Sequence, residues 1–173
     1  MTTADLHRII NLNLPVPPPL VIYTDAEGSG RLGYAVYHNG KLLRWGTSKV
    51  TDKVKDHLLP RLTQINAFEV IAAIWAIMNC IDLLANHAVQ VYIDNTTAQA
   101  ILAKETLSAP DLGTITGHFW QWAAGHRLRL EWFRVASKAS PADAPSRSGR
   151  PPLCPPGMAP SHGNIETIYT LLQ

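Results

Sequence analysis

From Ile65 to Ile81 the chain reads INAFEVIAAIWAIMNCI, a run in which Glu69 is the only charged side chain. A helix that is apolar on nearly every side has to be enclosed on nearly every side, by lipid or by protein. Lipid is the poorer answer. A spanning helix needs about 20 predominantly apolar residues. This run has 17 and would carry Asn66, Glu69 and Asn79 into the bilayer, where an ionised side chain near mid-depth costs about 2.5–3.5 kcal/mol. The run is therefore expected to be the central helix of a packed domain, with no membrane association.

What can pack around such a helix follows from its neighbours in sequence. LVIYTDA (Leu20 to Ala26) is β-branched and aromatic, Gly28-Ser29-Gly30 turns the chain, and LGYAVYH (Leu32 to His38) resumes strand character. Asn39-Gly40 is a strong hairpin signal and leads into KLLRWGTSK (Lys41 to Lys49), which gives a three-stranded antiparallel meander. The long helix, expected from about Gln64 to Ala85, is followed by VQVYID (Val89 to Asp94), a helix over Thr96–Lys104, another from Pro110 to about Ala124, and the alternating strand RLRLEWFRV (Arg127 to Val135). A strand that follows a helix signals a parallel crossover. The expected class is α/β, with a mixed five-stranded sheet, three strands antiparallel and then two parallel, flanked by helices.

At roughly 150 residues per domain, a chain of 173 holds one compact unit, and 46% hydrophobic residues with a net charge of +2 is globular composition. The boundaries read as a proline-rich lead-in over 1–19, a domain over 20–147, and a proline- and glycine-rich tail over 148–173. Cys80 and Cys154 form neither a disulfide framework nor a CxxC zinc pattern. MTTADLHRII lacks the features of a secretory signal, so a cytoplasmic or nuclear location is expected.

Several apparent motifs dissolve on inspection. Gly28, Gly30 and Gly33 fit the letters GxGxxG, but a dinucleotide site needs a helix to open there, and Tyr34–His38 is strand-like. Asn95-Thr96-Thr97 matches a glycosylation acceptor without the secretory context that would give it meaning. The seven histidines show no HExxH spacing. Trp120 and Trp122 have little basic company and read as packing residues.

Three carboxylates resist dismissal. Asp25 sits among Val21, Ile22 and Tyr23, Glu69 stands alone in the apolar helix, and Asp94 ends the fourth strand, none with a lysine or arginine in its own element. A buried carboxylate is costly unless it is paired or bound to a metal. Two adjacent strand ends and a helix start can meet in a mixed sheet. Clustered acids raise one another's pKa, so such a cluster calls for a divalent cation, and oxygen ligands favour Mg²⁺ or Mn²⁺. The alternative is that each acid is solvated separately at the end of its element.

Taken in order, TDAEGSG on the first strand, QINAFEVIAA on the long helix, VYIDNTTA at the fourth strand and SPADAPSR after the fifth resemble the ribonuclease H domain, most closely the type found in retroelement reverse transcriptases. The match spans about Val21 to Arg147, with separations of 44, 25 and 49 residues between the successive acids. The resemblance implies that Asp25, Glu69, Asp94 and Asp143 are the catalytic acids and the ligands of two Mg²⁺ ions, with Mn²⁺ as the other acceptable cation. It also implies hydrolysis of the RNA strand of RNA/DNA hybrids by a two-metal mechanism, leaving 5′-phosphate and 3′-hydroxyl ends, and association with a polymerase domain.

Two departures from the family pattern stand out. Where many members carry a loop histidine, this chain has Ala136-Ser137-Lys138-Ala139. Either Lys138 takes part of that role or nothing does, and slow turnover is the expected consequence. The asparagine often found shortly before the last acid is also missing. Two rival readings stay open: a related nuclease acting on DNA or structured RNA, and a catalytically silent nucleic-acid-binding scaffold.

Charge adds a separate signal. Between Arg127 and Arg150 six basic residues face two acids, and Arg127, Arg129, Arg134, Lys138 and Arg147 are the expected phosphate contacts, which would make binding salt-dependent.

Overall fold

The computed structural model describes residues 17–104 and 106–173. Strands β1 (Leu20–Ala26), β2 (Arg31–His38), β3 (Lys41–Lys49), β4 (Ala88–Ile93) and β5 (Arg129–Arg134) form one sheet in the spatial order β3-β2-β1-β4-β5. The β1–β2 and β2–β3 pairs are antiparallel, and β1–β4 and β4–β5 are parallel. This is the mixed sheet expected from the residue pattern. Asn39 and Gly40 both have positive φ, 51° and 71°, as the tight turn between two twisted strands requires.

Among the described residues seven helices accompany the sheet: α1 (Asp52–Lys55), α2 (Ile65–Asn79), α3 (Ile81–Leu84), α4 (Thr96–Leu102), α5 (Pro110–Gly125), α6 (Asp143–Ser146) and α7 (Glu166–Leu172), with a 3-10 turn at Ser137–Ala139. The long helix is shorter than expected. It breaks at Cys80, whose φ of −106° and ψ of 12° lie outside the helical range, and α3 resumes beyond it.

Every residue of α2 from Ala67 to Ile77 is buried, because β1 and β2 cover one side and α4, α5 and α7 close the others. This enclosure by protein accounts for the apolar run. Among the described residues no helix is long and apolar enough to cross a membrane.

The lead-in expected over residues 1–19 lies outside the described residues up to position 16. Of its remainder, the Pro18 carbonyl lies 3.3 Å from His38 Nε2. The segment after Arg147 is not a free tail. Tyr37 Oη donates to the Pro152 carbonyl at 2.8 Å, Trp45 Nε1 to the Met158 carbonyl at 3.2 Å, and Ser161 N to the Trp45 carbonyl at 2.8 Å. This strap covers a small apolar cluster of Ala35, Tyr37, Leu42 and Trp45 on the sheet face away from α2. It then delivers α7, whose Ile168 and Leu171 join the main core beside Ile165. Proline density forecasts irregular backbone correctly, but it says nothing about whether irregular backbone packs.

Candidate active site

The acids are positioned by strand pairing. Thr24 on β1 pairs with Ile93 on β4 in a parallel ladder, so the next residue along each chain, Asp25 and Asp94, emerges beside the other. Glu69, one turn into α2, points at the same place. Its Oε1 accepts a hydrogen bond from the Ala26 amide at 3.2 Å. Carboxylate oxygens of Asp25, Glu69 and Asp94 lie within 4.8 Å of one another. Asp25 and Glu69 are buried and Asp94 is half-buried.

The fourth acid arrives from the opposite side. Asp143 opens α6, which packs on β1 and β2. That packing depends on Gly33, the residue paired with Asp25 across β1 and β2. A Cβ at position 33 would overlap the backbone of Pro145 and Ser146. Gly33 therefore serves close helix-on-strand approach, and Gly30, with a φ of 94°, serves the turn between β1 and β2. From α6, Ser146 Oγ donates to Asp25 Oδ2 at 2.5 Å. Asp143 is near enough to raise the pKa of Asp25, but its Oδ1 faces Arg147 Nε at 3.3 Å, and it lies outside the three-carboxylate cluster.

No protein-family model and no curated protein matches the chain. Solved structures do match. LC11-RNase H1, isolated from compost by a metagenomic approach and solved in complex with RNA/DNA hybrid, superposes with a TM-score of 0.60 at 18% identity, over 75% of this chain and 95% of that one. The N-terminal RNase H domain of rv2228c from Mycobacterium tuberculosis gives 0.57 at 19% identity, over 76% and 92%. RNase H1 from the halophilic archaeon Halobacterium salinarum NRC-1 gives 0.50 at 17%, over 68% and 83%.

The chain has the ribonuclease H fold.

In this ribonuclease H fold the acid cluster is electrostatically loaded. Burial pushes the Glu69 carboxyl up to about 9, with Asp25 and Asp94 adding to the rise and the Ala26 amide opposing it. Burial likewise raises Asp25 to about 6; the Ser146 hydroxyl works against this, while Asp94 and Asp143 reinforce it. Glu69 Oε2 is buried with no hydrogen-bond partner among the described residues. An unpartnered carboxylate oxygen, two further carboxylates within ligand reach and no ion pair to any of the three among the described residues make a hard-oxygen donor set. The residues present fit a divalent cation.

The five cations expected at the nucleic acid divide into two groups. Because β5 runs parallel to β4, with Arg129 beside Ala88 and Arg134 beside Ile93, Arg134 ends at the acid side of the sheet. Arg127 and Arg129 lie at the other end, about 17 Å away along the strand, where Arg129 bonds the Asn86 carbonyl. Lys138 is exposed in the 3-10 turn, and Arg147 stands beside Asp143. Trp120 packs against the core, its Nε1 donating to the Leu102 carbonyl at 3.0 Å.

Sequence reading missed three participants. Ser146 lies one helical turn after Asp143 in the same SPADAPSR motif, and that i, i+3 spacing was the available signal. Asn95 caps α4 through the Ala98 amide at 2.9 Å, and its Nδ2 donates to Asn66 Oδ1 at 2.8 Å. This ties the segment carrying Asp94 to the helix carrying Glu69.

Proposed function

We propose that the chain is a divalent-metal-dependent endonuclease that hydrolyses the RNA strand of RNA/DNA hybrids, leaving 5′-phosphate and 3′-hydroxyl ends. The observation that carries this reading is the buried Glu69 Oε2, which has no partner among the described residues and faces two more carboxylates at the ends of adjacent parallel strands. Asp25, Glu69 and Asp94 would hold the cation, with Asp143 at the open rim for a second. A pair of Mg²⁺ or Mn²⁺ ions, when bound, supplies an activated water and stabilises the departing oxygen.

The chain's own contribution is to hold these oxygens still and dry. The Ala26 amide fixes Glu69 Oε1, which leaves Oε2 free to ligate. Ser146 fixes Asp25 Oδ2 and favours the ionised form. The Asn66–Asn95 bond keeps Asp94 in place relative to Glu69. On the rim, Arg134, Lys138 and Arg147 would contact backbone phosphates. The hybrid is favoured as substrate because the four-motif order resembles the ribonuclease H domain and because LC11-RNase H1 has been solved with RNA/DNA hybrid. The retroelement-like form of those motifs suggests a reverse-transcriptase polymerase domain as partner.

The deciding experiment offers matched RNA/DNA hybrid, duplex RNA and duplex DNA to the purified protein, with Mg²⁺ and with EDTA. Cleavage of the RNA strand of the hybrid alone, abolished by EDTA and by Asp94→Asn, is the expected result. Preference for DNA or duplex RNA overturns the substrate assignment, and hybrid binding without cutting makes the protein a scaffold.

A further inference from the structure

A polar cavity of about 310 Å³ opens at the same end of the sheet as the acid cluster. It is lined by Arg31, Thr47, Ser48, Lys49, Ser148 and His162. It has no carboxylate in its lining. Arg31 and Lys49 sit directly opposite one another in the antiparallel register of β2 and β3, an arrangement of like charges that weakens a strand pair. Neither is within ion-pair distance of an acid among the described residues. Arg31 Nη1 donates to Ser148 Oγ at 2.7 Å, which holds the guanidinium in one orientation while its other donors stay free.

The facing Arg31 and Lys49, with the hydroxyls of Thr47 and Ser148 beside them, make a set suited to a tetrahedral oxyanion, which both relieves the repulsion and accepts charge-assisted hydrogen bonds. The position of the cavity identifies which oxyanion. Arg31 is two strand residues from Gly33, the partner of Asp25, a distance of about 7 Å. Ser148 follows α6 two residues after Ser146, which bonds Asp25. The chain leaving α6 therefore reaches Asp25 through Ser146 and the cavity through Ser148.

We infer that this cavity is a phosphate subsite that grips a nucleic-acid backbone phosphate neighbouring the one cut at the acid cluster. The inference rests on the nuclease reading for its substrate but not for its chemistry. It adds Arg31, Lys49 and Ser148 to the binding surface, with both cations outside the basic segment from Arg127 to Arg150.

Two measurements test it. Titration of inorganic phosphate into the ¹⁵N-labelled protein should shift the amides of Arg31, Lys49 and Ser148; no movement at these positions overturns the subsite. Binding of an RNA/DNA hybrid in EDTA across a KCl series, compared between wild type and the Arg31→Gln/Lys49→Gln variant, should show about tenfold weaker binding and a log–log salt slope shallower by about one. An unchanged affinity and slope overturns the subsite even if the hybrid is cleaved. Loss of binding in the variant, in a protein that never cuts hybrid, upholds the subsite and overturns the nuclease.

Discussion

Ser146 donates its hydroxyl proton to Asp25 across a sequence separation of 121 residues. This bond joins the last motif of the chain to the first, and it opposes the rise that burial imposes on the Asp25 pKa. Ser146→Ala should therefore move Asp25 further up from about 6. Because the proposed ligand is the ionised carboxylate, the Mg²⁺ requirement and the acid limb of the pH–rate profile should shift to higher pH. A lost hydrogen bond to a charged group is worth about 1.5–3 kcal/mol, so cleavage near neutral pH should fall on the order of tenfold or more and recover in part at alkaline pH. A uniform loss at every pH would show that Ser146 only supports α6.

Glu69 makes metal-free stability depend on pH in a direction opposite to that of a salt-bridged acid. Its folded pKa, about 9, lies above its ordinary 4.5. The folded state therefore holds a proton that the unfolded chain has released, and stability falls as pH rises through that interval. In EDTA the melting temperature should drop between pH 5 and pH 9. Glu69→Gln should flatten that drop while removing Mg²⁺-dependent cleavage, and Mg²⁺ should stabilise the wild type more at pH 9 than at pH 5. A flat wild-type curve in EDTA would contradict the buried-acid account.

Gly33→Ala tests the seat of α6. The added methyl would collide with the backbone of Pro145 and Ser146, so α6 has to lift away from Asp25. Overpacking of this kind costs about 1–3 kcal/mol. The expected outcome is a folded protein with a modestly lower melting temperature and a large loss of cleavage, read by thermal unfolding alongside the hybrid assay.

Ile168→Ala tests whether the C-terminal segment belongs to the core. Ile168 is fully buried on α7, and truncating a buried isoleucine costs about 2–5 kcal/mol. Thermal unfolding should show that loss in full. A surface-like effect of less than about 0.5 kcal/mol would mean that α7 is only loosely attached.

Much of this protein is legible without coordinates because its signals are local. The β-branched and aromatic run of β1, the Asn39-Gly40 turn and the single charge in the run from Ile65 to Ile81 specify elements and burial through contacts between near neighbours in sequence. They also pick out Asp25, Glu69 and Asp94 as acids that need a partner. The convergence of those acids is not local. It comes from the parallel register that places Thr24 beside Ile93 and from the helix packed across it. The role of Gly33, the reach of Ser146 to Asp25, the placing of Arg134 at the acid side of the sheet by the β4–β5 register and the docking of α7 belong to the same class. Each depends on surfaces that meet only after the chain has closed loops of tens of residues, and periodicity, propensity and composition, which sample a few residues at a time, carry no record of which surfaces those are.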